Sequence, residues 1–178
     1  MVNLEVLCKI SWTASRLDNL GGHYIKQLLT SLLTVMTFAV LGNAFVGNSI
    51  IEWYMELEKP WYLVPLWAFI VVGILYYIMA GTIVYRQLVN FTESKRRKTA
   101  FLLTIGMLAG NEVWNYLFFG LKSTFLGFIS LIPFLMLVAG LAYTLKKVDL
   151  FSFVILIPYL FWLGYDLIWT YGLHMENI

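Results

Sequence analysis

The chain has little of what a soluble enzyme needs. It holds one cysteine, Cys8, in 178 residues, so no disulfide framework can form within it. Its two histidines, His23 and His174, stand far apart, which argues against a zinc site. Only 12% of the residues are charged, about half of the ~25% found in a soluble domain. The net charge is +2 and the basic residues are spread over several connections, so no nucleic-acid footprint stands out. The G-x-S-x-G, H-E-x-x-H and P-loop signatures are missing. Without a nucleophile and base pair, hydrolase and kinase readings are poor, and no enzyme activity is expected. Glu5, Lys9, Arg16 and Asp18 interrupt the first residues, which leaves no apolar core for a cleavable signal peptide. Residues 1–26 read as a cytoplasmic or interfacial extension.

What is present is apolar. Hydrophobic residues make up 61% of the chain and aromatic ones 17%. Tryptophan and tyrosine favour the headgroup level of a bilayer, and the chain has 7 and 11 of them. A helix crosses the hydrocarbon core with about 20 apolar residues. Five segments qualify: 27–51, 60–85, 99–121, 123–145 and 150–173. The third contains one charge, Glu112, and the fifth contains one, Asp166. These runs are apolar on every side, unlike the alternating strands of a membrane barrel. Helices are the remaining way to satisfy the backbone in lipid. The expectation is an all-α membrane protein, a five-helix transmembrane bundle over residues 27–178.

Charge sets its orientation. Lys9, Arg16 and Lys26, the basic residues of the connection 86–98, and Lys146 and Lys147 fall on one side of the membrane. Lys59 and Lys122 fall on the other. That bias places the N-terminus inside and the C-terminus outside. The connection 52–59 is then an acidic outer loop. The basic run 95–98 meets anionic headgroups on the inner side, so membrane lipids are expected partners. A bacterial inner membrane is the first expectation, with a mitochondrial outer membrane as the alternative.

Glu112 and Asp166 are the leading functional candidates. A carboxylate inside the bilayer is costly unless it is paired, solvated or protonated. Both lie in the outer halves of their helices, at levels a few Å apart. They could share a proton or hold a polar ligand group in a common cavity. The alternative is that each is neutral and bonded to a nearby Tyr, Asn or carbonyl. Tyr159, Trp162, Asp166 and Trp169 follow spacings of three, four and three, which puts them on one helix face. Such an aromatic stripe suits a flat apolar ligand, or ordinary helix packing. Asn111 and Asn115, beside Trp114, are structural glue or pocket wall. Gly106 and Gly110 predict close helix packing, within the fold or in a dimer.

These residues fall into blocks that resemble a known family. Trp53-Tyr54-Met55-Glu56-Leu57-Glu58-Lys59-Pro60 resembles the W-Y-x-x-L-x-K-P approach to helix two of the translocator proteins, also called tryptophan-rich sensory proteins (TspO/MBR). Asn111-Glu112-Val113-Trp114-Asn115-Tyr116-Leu117-Phe118-Phe119-Gly120 is similar to its N-x-x-W-x-x-x-F-F-G block. Pro158-Tyr159-Leu160-Phe161-Trp162 is similar to its P-Y-L-x-W block. The chain departs from the pattern at Gly73, where the family has a pocket tryptophan, at Thr170 in place of an asparagine, and at Asp166.

The resemblance implies a five-helix bundle, often a homodimer, that binds porphyrins, sterols or synthetic aromatic molecules. It implies no obligatory cofactor, with porphyrin or heme as possible ligands. It places Trp162 in the pocket and Val46, Phe69, Val72, Trp114, Leu126 and Asp166 at or beside lining positions. A binding and sensory protein is the leading expectation. The alternatives are a transporter of porphyrin or lipid, a weak porphyrin-modifying enzyme using Trp162, and an assembly factor joined through Gly106 and Gly110.

Overall fold

The computed structural model describes residues 4–90 and 94–178, with side chains from residue 22 onward. The chain is all-helical among the described residues. Helix α1, Leu4–Val46, runs unbroken through residue 26. It stops at Gly47, whose φ of +47° is open to a residue without Cβ. The Gly47 N–H closes the last turn on the Asn43 carbonyl at 2.9 Å. A short helix α2, Ser49–Glu52, and a single tight turn, Tyr54–Glu56, follow on the outer side.

Helix α3, Leu66–Val89, begins only after Pro65. Residues 60–65, expected as its first turns, belong to the outer loop. Helix α4, Lys95–Asn115, continues as a π-helical turn, Tyr116–Gly120. Helix α5, Thr124–Val148, is capped by Ser123, whose Oγ accepts from the Leu126 N–H at 3.2 Å. Helix α6, Leu150–Glu176, is capped by Asp149.

By length and composition, α1, α3, α5 and α6 are long and apolar enough to cross a membrane among the described residues. Helix α4 falls short because Lys95, Arg96, Arg97 and Lys98 fill its first turn, and Asn111, Glu112 and Asn115 its last. Packing still makes it the fifth member of the bundle. Helix α1 lies on α3 and α4, α4 on α5, α5 on α6, and α6 closes the ring on α3. The core inside the ring is apolar, with Ile83, Met107, Leu141, Leu145 and Leu156 fully buried. Large side chains such as Leu33, Trp67, Met136 and Phe161 face outward, as lipid contact requires.

Gly106 and Gly110 are used inside this fold. A Cβ at Gly110 would lie 2.7 Å from the Phe134 ring, and one at Gly106 would lie 3.4 Å from Leu137. Both contacts belong to α5. The glycine pair therefore seats α4 on α5, which takes away the face that an assembly reading would need.

The two ends of the bundle are tied differently. At the inner end Arg86 donates two hydrogen bonds to Asp149, each 2.8 Å long. The Ser152 hydroxyl donates a third at 2.7 Å. Burial pushes the Asp149 carboxyl up, but these hydrogen bonds outweigh it and hold the group below the usual carboxylate range. At the outer end the loop is pinned to α6. The Val64 N–H donates to the Tyr165 hydroxyl at 2.9 Å, and that hydroxyl donates on to the Tyr62 carbonyl at 3.3 Å. Glu58 and Asn177 exchange two hydrogen bonds, 3.0 and 2.9 Å long.

Candidate functional site

A cavity of about 250 Å³ lies under the outer loop, inside the ring of helices. Each helix contributes because its outer half presents one face inward. Helix α3 supplies Leu66, Phe69, Gly73, Tyr76 and Tyr77, which recur at helical spacing. Helix α6 supplies Tyr159, Trp162, Asp166 and Trp169, the stripe read from the sequence. Val46 of α1, Val72 of α3, and Asn111 and Trp114 of α4 also line the cavity.

Two expected residues lie elsewhere. Leu126 sits in the first turn of α5, outside the wall, and α5 reaches the cavity further along through Leu131 and Phe134. Glu112 is also behind the wall. It is 3% exposed, and its side chain is enclosed by the residues that do line the cavity. The Tyr77 hydroxyl donates to Glu112 Oε1 at 2.6 Å. Asn111 Nδ2 donates to the same oxygen at 3.2 Å, and Asn115 Nδ2 donates to Oε2 at 2.9 Å. Three uncharged donors thus satisfy the oxygens of the buried carboxyl group, which removes most of the cost of burying it. Gly42 of α1 leaves room for this group, since a Cβ there would overlap the carboxylate.

Asp166 does reach the cavity. It accepts a hydrogen bond from Trp169 Nε1 at 2.7 Å. The Trp169 ring is buried edge-on against Phe69 and Phe118, at 5.2 and 5.7 Å between centroids. Thr170, at the position of the family asparagine, spends its hydroxyl on the Asp166 carbonyl at 2.6 Å. No hydrogen bond joins Glu112 to Asp166 among the described residues, so the structure does not display a shared proton. Each acid has its own partners.

The rings differ in how firmly they are held. Trp114 donates to the Gly127 carbonyl at 2.9 Å and stacks on Phe118, with the planes 10° apart. Tyr76 donates to the Met107 carbonyl at 3.2 Å and leans on Tyr159 at 4.8 Å. Trp162 is half-buried and meets Phe69 and Tyr165 at 5.6 and 5.2 Å. Tyr54 and Ile50 close the cavity from the loop side. Burial, and then the nearby Tyr165, push the Tyr54 phenol up to about 12, so it stays a neutral hydroxyl. The missing side chain of Gly73 leaves open space, with nothing within 4 Å of a Cβ built there.

Sequence reasoning passed over several wall residues. Leu66 and Tyr77 share the face of Phe69 and Gly73 at helical spacing, which is a readable signal. Ile50 and Tyr54 carried none, because their place depends on how the loop folds back. Among the described residues no three His, Cys, Asp or Glu side chains are grouped to hold a metal ion.

Comparison with known proteins gives a consistent picture. Residues 30–175 match the TspO/MBR family. The tryptophan-rich protein TspO of Archaeoglobus fulgidus is 29% identical over 157 residues, covering 86% of this chain and 98% of that protein. The translocator protein of Ovis aries is 29% identical over 145 residues, covering 77% and 82%. The tryptophan-rich sensory protein of Cereibacter sphaeroides is 29% identical over 111 residues, covering 62% and 68%.

Proposed function

Because the chain belongs to the TspO/MBR family of multi-pass membrane proteins, we propose that it binds and senses a flat apolar ligand, such as a porphyrin or a sterol. One observation carries the reading: an aromatic cavity holds an acid, Asp166, that is oriented by a buried indole. Ring faces of Phe69, Tyr159 and Trp162 supply dispersion and stacking to a planar molecule. The Asp166 carboxyl, with Asn111, Asn115 and the Tyr77 hydroxyl, supplies the few polar anchors that fix its orientation. Glu112 acts through these groups as a positioning residue. An aromatic wall with a few polar anchors suits binding. The positive-inside bias places the N-terminus on the inner side of the membrane.

The test is a fluorescence-quenching titration of purified protein with protoporphyrin, heme and a sterol, with the native tryptophans as reporters. Saturable quenching by one of them is expected. Trp162→Ala removes one ring from the wall and should weaken it about tenfold, the equivalent of ~1.4 kcal/mol. A Trp162→Ala protein that binds as tightly as the wild type would remove this cavity from consideration.

A further inference from the structure

A second cavity, of about 530 Å³, lies between α3 and α6 on the lipid-facing side, in the inner half of the bundle. It is lined by Leu75, Met79 and Thr82 of α3 and by Phe151, Ile155 and Pro158 of α6. Leu75 and Phe151 are exposed on the outer surface of the bundle, so this space is a groove open to the bilayer. At its inner end the Arg86 guanidinium lies over the Phe151 ring at 4.6 Å.

Four residues, Val72, Tyr76, Tyr159 and Trp162, line both this groove and the inner cavity. The two spaces are therefore separated by a partition one side chain thick. Ring contacts make up much of this seam: Tyr76 against Tyr159, and Phe69 against Trp162. Pro158 lies within α6 beside the partition. A proline there leaves a carbonyl one turn earlier without its helical donor, which makes that point the easiest place for the helix to bend.

The outer mouth is a poorer route. The loop above it is fastened to α6 through Val64, Tyr62 and Tyr165, and again through Glu58 and Asn177. The inner cavity alone is also below the ~300–1,000 Å³ of ordinary small-molecule sites, whereas the groove is within it. A planar ligand of porphyrin size therefore needs the partition to move. An apolar ligand is in any case concentrated in the bilayer, on the groove side of that partition.

We propose that the α3–α6 groove is the membrane-facing entry for the same flat apolar ligand, and that the ligand passes from it into the inner cavity between Tyr76, Tyr159 and Trp162. This rests on the reading of the inner cavity as a ligand site. Trp162 and Tyr159 then act as a gate as well as a wall.

Stopped-flow quenching by protoporphyrin, with the full chain in liposomes, tests it. Leu75→Phe with Ile155→Phe fills the groove without touching the four shared residues. Association and dissociation should both slow about tenfold, with Kd nearly unchanged, because an access route changes rates and not the bound state. Met79→Phe, in the same groove, should give the same pattern to a smaller degree and serves if the double variant does not fold. Asn177→Ala with Tyr165→Phe, which frees the loop, should leave association unaltered. Saturable binding with unaltered rates in the groove variants overturns the proposal, as does a faster association when the loop is freed. No saturable quenching in the wild type is a different result, and it overturns the binding reading itself.

Discussion

Glu112 keeps its place in the bilayer because one neighbour has no side chain. Its carboxylate occupies the space beside Gly42, where a Cβ would overlap it and approach Asn115 Nδ2 at 3.1 Å. Overpacking of this kind costs about 1–3 kcal/mol in a well-packed interior. Here the displaced group is also a carboxylate with three donors, so the Tyr77, Asn111 and Asn115 bonds would be strained together. Gly42→Ala should lower the thermal unfolding midpoint of the detergent-solubilised protein. Gly140→Ala is the matched control, since nothing lies within 4 Å of its Cβ and alanine favours the helix by up to about 1 kcal/mol. Equal midpoints for the two variants would mean that Gly42 is not the seat of Glu112. The sequence singled out Glu112 as an acid needing partners, and Tyr and Asn partners are what it has. It could not show that Gly42, 70 positions earlier in the chain, makes the space, because α1 and α4 meet only in the folded bundle.

The start of α6 is fixed by one acid doing two tasks. Asp149 accepts from the Ser152 backbone and hydroxyl at the helix start and from Arg86 at the end of α3. These bonds hold its carboxyl below the usual range despite burial. The stabilisation is therefore fully present above the ordinary aspartate value of roughly 4 and disappears as pH falls through the lower folded value. Unfolding midpoints measured from about pH 6 down to about pH 3 should fall, and Asp149→Asn should flatten part of that slope. A variant with the wild-type slope would show that Asp149 is not the group responsible. At this scale the helices were largely legible, because 20-residue apolar runs have few other uses. Their ends were not. The outer start of α3 moved from residue 60 to Leu66 since residues 60–65 are held by Tyr165 and α6. The π-helical turn at Tyr116–Gly120 carries Phe118 and Phe119, whose rings meet Trp53, Tyr54 and Trp169, partners distant in sequence that no local pattern records.

The cavity belongs to the whole bundle, and its shape follows from which helices are neighbours. The aromatic stripe on α6 was readable from spacing alone. The contribution of α5 was not: its register against α4 is set by Gly110 on Phe134, which brings Leu131 and Phe134 inward and leaves Leu126 outside the wall. Gly73 tests this picture of an assembled space. It is the position where the family pattern has a tryptophan, and the structure leaves open space there on the wall of a cavity of about 250 Å³. A large ring introduced at that point meets no side chain that must give way at its Cβ, so Gly73→Trp should fold with a midpoint close to that of the wild type. It should, however, occupy volume that a planar ligand needs. Protoporphyrin affinity should drop about tenfold or more, since a loss of ~1.4 kcal/mol of contact and fit is enough. Gly73→Ala, which adds one small group to open space, should bind within about twofold of the wild type. If Gly73→Trp unfolds as readily as Gly42→Ala, the space beside α3 is already filled in the membrane. If it folds well and binds porphyrin unchanged, the ligand sits elsewhere in the bundle.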